Sequence, residues 1–110
     1  MAITDNTRGL VLDRLRRRAR ERWPALADVT VRTRASFVYV DATTTDGETL
    51  RLCRLRYARS ATWWGFAIYL ASKDRYEDSL LPSGSPLGTP EEALDCACGL
   101  YLNDPNAWSP

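Results

Sequence analysis

The stretch TPEEALDCACGLYL, residues 89–102, predicts a capped helix that is buried on nearly every side. Thr89 can cap this helix, Pro90 then takes the first helical position, and Glu92 completes a capping box with Thr89. The residues that follow are apolar almost all round, which is typical of a helix covered by other elements. The rest of the chain must therefore supply a layer on which this helix packs.

Three segments upstream predict that layer as antiparallel strands. Residues 63–71 alternate cleanly, and the apolar side chains on one face are Trp64, Phe66, Ile68 and Leu70. Residues 50–59 and residues 28–43 also alternate and predict two further strands. Asp46–Gly47 lies between these two and is a strong short hairpin signal.

The alternation changes phase at two places in these strands. One is near Ala35–Ser36 in the first strand, and the other is near Cys53 in the second. An extra residue in a strand shifts which side chains face the core, so a bulge or bend is predicted at each place.

A second helix is predicted at residues 7–22, before the strands. Its apolar positions recur with helical spacing, Pro24 ends it, and the candidate caps are Asp5, Asn6 and Thr7. Residues 72–90, by contrast, are rich in turn formers and show no helix or strand period. They predict a loop that is long for a compact domain.

The order of elements predicts the fold class. A helix, three antiparallel strands, a long loop and a buried helix indicate an α+β two-layer sandwich of αβββα order. A chain of 110 residues is expected to form a single domain, 1–110, with less ordered tails at 1–6 and 104–110.

Charge is segregated along the chain. The first 60 residues hold 13 arginines against 7 acidic residues, a net charge of +6, and the last 50 hold 2 basic residues against 7 acidic ones, a net charge of −5. A basic half indicates a polyanionic or acidic partner. The basic half of one molecule could also pair with the acidic half of another, which would favour self-association.

The sequence offers little for catalysis. The chain has no histidine, the commonest general base and metal ligand, and no glycine-rich phosphate loop of recognised spacing. Cys96 and Cys98 resemble a short metal-ligand pair, but residues two apart on a helix point to different sides, so packing is the favoured role. We expect a protein that is not an enzyme and that uses no cofactor and no metal. Without a signal peptide or an apolar membrane span, a cytoplasmic location is expected.

Two surfaces are candidates for binding. The first surface lies on the sheet and consists of arginines interleaved with aromatic residues, namely Arg51, Arg54, Arg56, Arg59, Trp63 and Tyr69. The second surface lies on the first helix and consists of Arg14, Arg17 and Arg18. Guanidinium groups suit phosphates and guanine edges, and aromatic rings suit stacking, so either surface could meet a nucleic acid.

Two functions follow from these residues. The first is a non-enzymatic protein-interaction module, or a homodimer whose basic and acidic halves pair across the interface. The alternative is a nucleic-acid-binding module that uses an arginine and aromatic face of the sheet. An open sheet face rich in these residues favours nucleic acid, whereas a flat apolar patch favours a protein partner.

The order αβββα resembles double-stranded-RNA-binding domains. Those domains carry a lysine-rich start to the last helix, which grips phosphates. The corresponding run here, TPEEALD, is acidic and argues against that function.

Residues 50–102 resemble the three-stranded DNA-binding domains of plant ethylene-response factors and of phage-integrase N-termini. The run GTPEEA and the segment RLCRLRYARSATWWGFAIYL carry the likeness, which implies that arginine and tryptophan on the sheet contact DNA. The segment LPSGSPLGTPEEALDCACGLYL as a whole resembles a family of small uncharacterised actinobacterial proteins, a likeness that implies no activity.

Overall fold

A computed structural model describes residues 3–58, 62–81 and 83–101 of the chain, with the Tyr101 side chain left out. Its elements, in chain order, are α1 (Asp5–Arg22), β1 (Leu26–Arg34), β2 (Phe37–Thr44), β3 (Thr49–Tyr57), β4 (Trp64–Leu70), β5 (Arg75–Asp78), β6 (Leu87–Gly88) and α2 (Pro90–Tyr101). The strands form one antiparallel sheet in the order β1-β2-β3-β4-β5, and β6 also pairs with β4. The α+β class with an antiparallel sheet is confirmed.

The prediction of a single first strand at 28–43 was wrong. Ala35 and Ser36 are the turn of a β1–β2 hairpin, and Ala35 has φ of 54°, in the left-handed region that turns use. Arg34 and Phe37 pair across the hairpin and so share a face, although three positions separate them in sequence. The phase change in the alternation therefore marks a chain reversal.

The prediction that residues 72–90 contain no strand was also wrong. Residues 75–78 pair with β4 as β5, and Leu87–Gly88 pair with the start of β4 as β6. These strands of four and two residues are too short to show a period in the sequence, but they satisfy backbone groups along one edge of β4.

The irregularity predicted near Cys53 is confirmed. The pairing of β2 with β3 shifts between Val40 and Asp41, so that Val40 faces Cys53 while Asp41 faces Arg51. Leu52 is the extra residue, and both Leu52 and Cys53 are fully buried. This bulge sets which arginines of β3 leave the core.

The capping box of the second helix is confirmed as well. The backbone N–H of Glu92 donates to Thr89 Oγ1 at 3.2 Å, and the backbone N–H of Thr89 donates back to Glu92 Oε1 at 3.2 Å. Ala93, Leu94, Ala97 and Cys98 are buried in the core. Residues 102–110, which include the predicted C-terminal tail, lie outside the described residues.

The first helix begins earlier than expected and is capped by Thr4, whose Oγ1 accepts from the Thr7 N–H at 3.1 Å. Its buried stripe holds the apolar residues Val11, Leu15, Ala19 and, just beyond the helix, Trp23. α1 packs on β1 and on α2, and α2 packs on β3 and β4. No described helix combines the length and the apolar character that crossing a membrane requires.

A carboxylate on α2 joins the two helices. Asp95 accepts from Arg18 Nη2 at 2.6 Å and from the indole N–H of Trp23 at 2.9 Å, and Arg22 lies 3.6 Å away. The Asp95 side chain is only 11% exposed. The hydrogen bond to Asp95 also raises the pKa of Arg18. A buried carboxylate with this many donors is costly to remove, because its partners lose their acceptor.

We expect Asp95→Ala to lower the free energy of unfolding by about 2–3 kcal/mol, because it leaves the buried indole N–H of Trp23 and the guanidinium of Arg18 without their acceptor. Asp13→Ala is the matched control: it breaks an exposed pair with Arg17 and should cost less than about 0.5 kcal/mol. Chemical denaturation measures both. Equal losses for the two variants would contradict the role given to Asp95.

Candidate functional site

One face of the sheet carries both helices, and the other carries a band of arginines and rings. We call the second the open face. Its residues, placed by strand alternation and pairing, are Arg32, Arg34, Phe37, Tyr39, Asp41, Arg51, Arg54, Arg56, Gly65, Ala67, Tyr69, Tyr76 and Asp78. Their neighbours along the strands, such as Val38, Val40 and Leu55, are fully buried on the helix side.

The strand register lines these residues up in rows across the open face. Arg34 pairs with Phe37, which pairs with Arg56, which pairs with Gly65. The next row runs through Arg32, Tyr39, Arg54 and Ala67. Arginine and aromatic residues thus alternate from strand to strand across the sheet, with arginines on β1 and β3 and rings on β2.

The aromatic rings of the open face contact one another in a chain. The centroid of Tyr39 lies 6.3 Å from that of Phe37 and 5.2 Å from that of Tyr76, and Tyr76 lies 5.1 Å from Tyr69. Tyr39 is on β2 and Tyr76 on β5, with two strands between them. Their side chains meet because β4 carries only Gly65 and Ala67 in these rows, which leaves room for Tyr76 to lie across the sheet.

Three arginines stack on these rings. The guanidinium carbon of Arg54 lies 4.5 Å from the Phe37 centroid, that of Arg32 lies 5.3 Å from the Tyr39 centroid, and that of Arg51 lies 5.6 Å from the Tyr69 centroid. Such contacts hold a guanidinium group flat and oriented while its N–H groups remain available at the edge.

The same three arginines have acidic partners. Arg32 donates to Asp41 at 3.0 Å, Arg51 lies 3.4 Å from Asp74, and Arg54 lies 3.5 Å from Asp78. The hydrogen bond to Asp41 raises the pKa of Arg32. Asp74 and Asp78 are well exposed, and exposed ion pairs contribute little free energy.

Arg34 and Arg56 have no acidic partner among the residues that the structure describes. The Arg56 side chain lies over Gly65, so close that a Cβ at that position would sit 3.2 Å from Arg56 Nε. Arg34 lies at the end of β1 next to the hairpin turn and is exposed. These two charges give their row of the open face a positive potential.

A groove of about 490 Å³ lies toward the β1 side of the open face and is lined by Arg32, Thr33, Arg34, Tyr39, Arg51 and Tyr76. Two buried polar atoms beside it, Asp41 Oδ1 and Tyr76 Oη, lack a hydrogen-bond partner in the described part of the chain. Burial, and then the charge of Asp41, raise the pKa of Tyr76. A neutral hydroxyl and a carboxylate oxygen thus lie beside the groove with hydrogen-bonding capacity unused.

Tyr69 differs from Tyr76 in having a partner for its hydroxyl. It donates a short hydrogen bond to Asp74 Oδ1, in the turn before β5, and this bond raises the pKa of Tyr69. The same carboxylate holds Arg51. The β4–β5 turn therefore fixes one side of the aromatic chain.

The most exposed ring near this face is Trp63, at 51% exposure. It immediately precedes β4, and strand alternation assigns it to the open side, opposite the fully buried Trp64. Leu87, also exposed, pairs with Gly65 and lies on the same side.

Of the residues predicted from sequence, the structure brings Arg51, Arg54, Arg56 and Tyr69 together on the open face. The helix candidates lie on the other layer. Arg14 donates to Glu91 at 2.8 and 2.7 Å, and Arg18 is held by Asp95, so both join α1 to α2. Arg17 is exposed and pairs with Asp13. Arg59 lies outside the described residues.

Sequence reasoning missed the residues of the first hairpin and of β5, which are Arg32, Arg34, Phe37, Tyr39, Asp41 and Tyr76. A signal for the hairpin residues existed in the phase change at Ala35–Ser36. If this phase change is interpreted as a two-residue turn, Arg34 pairs with Phe37 and Arg32 pairs with Tyr39, so all four residues share one face. No comparable signal marked β5.

The three cysteines are free thiols that pack in or beside the core. Burial raises the pKa of Cys98 to about 12, and burial also raises the pKa of Cys53 and of Cys96. Among the described residues, no group of three or more potential ligands is placed to hold a metal ion. Thiols of raised pKa are poor nucleophiles at neutral pH.

Comparison of the chain with protein-family models, with curated proteins and with solved structures finds no match. The resemblances noted from the sequence therefore stay predictions.

We expect Tyr76→Phe to leave the free energy of unfolding unchanged or to raise it by up to about 1 kcal/mol, because the hydroxyl that it removes is buried without a partner. Tyr69→Phe is the control. It removes a hydroxyl that is hydrogen-bonded to Asp74 and should not stabilise the protein. Urea denaturation compares them, and a clear destabilisation by Tyr76→Phe would contradict the assignment.

Proposed function

We propose that the protein is a small non-enzymatic module that binds single-stranded nucleic acid on the open face of its sheet. The observation that carries this proposal is the alternation of arginines and aromatic rings over one face, opposite the helices. Proteins that bind single strands combine a positive surface that follows the backbone with rings on which bases stack.

The phosphate contacts are assigned first to Arg34 and Arg56. These two have no acidic partner within the described chain, so a phosphate need not displace a carboxylate to reach them. They lie in one row, two strands apart, which at about 4.8 Å per strand separates their backbones by about 10 Å. A strand of nucleic acid crossing the sheet would meet both.

The stacking contact is assigned to Trp63. Its ring is more than half exposed, whereas Phe37, Tyr39, Tyr69 and Tyr76 are only partly exposed because they pack on one another. Stacking a base on an aromatic side chain contributes about 1–3 kcal/mol and is available only when bases are unpaired. This favours a single strand over a duplex.

The remaining arginines can join as the strand binds. The five arginines of the open face lie near three acids, Asp41, Asp74 and Asp78, so these eight residues carry a net charge of +2. Because the pairs to Asp74 and Asp78 are exposed and weak, Arg51 and Arg54 can exchange a carboxylate for a phosphate at little cost.

The other expectation from sequence is a protein-interaction module, or a homodimer with oppositely charged halves paired across an interface. The opposite charges of the two halves support this alternative less strongly, because ion pairs within one chain already join the halves. Arg14 and Arg18 of the basic half already pair with Glu91 and Asp95 of the acidic half within one chain. We therefore place nucleic-acid binding ahead of it.

The test is a titration with a fluorescein-labelled 12-nucleotide single-stranded DNA at several salt concentrations. We expect affinity to fall as salt rises, since binding releases counterions from the phosphates. The variant Arg34→Ala/Arg56→Ala should weaken binding and reduce the slope of log K against log salt by about 1–2.

The matched control is Arg17→Ala/Arg20→Ala, which removes the same charge from exposed positions on α1. Its affinity and salt slope should stay close to those of the wild type. If the α1 variant loses binding and the sheet variant keeps it, the helix is the binding surface and the proposal fails. Absence of binding to the wild type at low salt also defeats it.

A further inference from the structure

Beside the groove that Tyr39 and Tyr76 line, two buried polar atoms have hydrogen-bonding capacity that the described residues leave unused. Asp41 presents one oxygen to Arg32, at 3.0 Å, and leaves Oδ1 without a donor among the described residues. Tyr76 Oη, which lies near the Arg32 guanidinium, likewise forms no hydrogen bond of normal geometry with the described residues. An ionised carboxylate oxygen can only accept, and a hydroxyl can accept or donate. Leaving such atoms buried and unpaired costs free energy that a ligand with suitable donors would recover.

Hydrogen-bond donors line the same groove. Arg32, Arg34 and Arg51 all border it, and Arg34 has no acidic partner in the described chain. Arg51 is the cross-strand partner of Asp41, and its side chain is 55% exposed. Because its ion pair with Asp74 is exposed and weak, the Arg51 guanidinium can leave Asp74 and turn to an incoming ligand. The groove thus offers acceptors beside donors, with aromatic rings between them.

We infer that this groove receives one unstacked guanine base of the bound strand, an inference that rests on the proposed nucleic-acid function. Guanine carries the N1–H and N2–H donors side by side, which suit Asp41 Oδ1 and Tyr76 Oη. Its O6 and N7 acceptors suit an arginine guanidinium in the bidentate manner that is the commonest specific contact to a base. Tyr39 and Tyr76 supply the ring faces beside it.

The other bases fit this set of groups less well. Thymine and uracil carry a single N–H donor flanked by two carbonyl oxygens, which would face the carboxylate unfavourably. Cytosine and adenine each present one amino group next to a ring-nitrogen acceptor. Only guanine joins two neighbouring donors to the O6/N7 pair of acceptors, so the groove is expected to discriminate by base.

The test uses the fluorescein-labelled 12-nucleotide oligothymidine and two versions with one central substitution, deoxyguanosine or deoxyinosine. Inosine lacks only the N2 amino group of guanine. We expect the guanine oligonucleotide to bind about tenfold more tightly than oligothymidine, and the inosine oligonucleotide to bind about fivefold more weakly than the guanine one. Fluorescence anisotropy at one fixed salt concentration gives the three affinities.

Two variants locate the discrimination. Asp41→Asn should bring the affinity ratio of guanine to inosine toward one, and Tyr76→Phe, which is isosteric, should reduce it about twofold to threefold. Asp78→Asn is the matched control: it makes the same charge change on the same face, at an exposed carboxylate that pairs with Arg54. It should leave the ratio unchanged. Thermal unfolding of each variant verifies that all are folded.

The outcomes separate this inference from the function on which it rests. Equal affinity for the three oligonucleotides, with salt-dependent binding retained, overturns the guanine site and leaves nucleic-acid binding standing. A preference for guanine that survives in both Asp41→Asn and Tyr76→Phe overturns the groove as its location. No binding to any oligonucleotide at low salt overturns both proposals.

Discussion

The carboxylate of Asp95 is the interaction on which the arrangement of the molecule depends. It receives the Trp23 indole and the Arg18 guanidinium where α1 and α2 meet, and so fixes against each other the two helices that pack on one face of the sheet. Buried polar groups of this kind persist only when their donors are satisfied. Because both helices lie on that face, the arginines and rings of the other face are left to solvent. The proposed binding surface is a consequence of this one-sided packing.

The charge asymmetry of the sequence takes a specific form in the structure. Among the described residues, arginines of the first 60 positions pair with acids of the last 50 five times: Arg14–Glu91, Arg18–Asp95, Arg22–Asp95, Arg51–Asp74 and Arg54–Asp78. Three of these pairs tie the helices together and are partly buried. The other two lie on the open face and are weak because they are exposed. On the open face, Arg34 and Arg56 add charge that no described acid neutralises.

Parts of the fold with a local cause could be predicted from the sequence. The capping box at Thr89, the alternation of β4 and the bulge at Cys53 each depend on a few neighbouring residues. The β1–β2 hairpin was missed because the strands flanking Ala35–Ser36 are both apolar and alternating, and a non-glycine residue with positive φ leaves no composition signal. β5 and β6 were missed because only pairing with β4 defines them. The Tyr39–Tyr76 contact of the candidate site was missed for the same reason. Tyr76 reaches Tyr39 only because β5 pairs with β4 and because Gly65 and Ala67 on β4 have small side chains.

The central claim, that one face of the sheet binds a single strand, is tested most directly by mapping the contact residue by residue. In a ¹H–¹⁵N NMR titration with the guanine-containing 12-nucleotide DNA, we expect the largest amide shift changes in β1 to β5, around Arg34, Tyr39, Arg56 and Tyr76, and at Trp63. The amides of α1 and α2 should change little, because the sheet lies between them and the DNA. Changes concentrated on α1, around Arg17 and Arg20, would contradict the account.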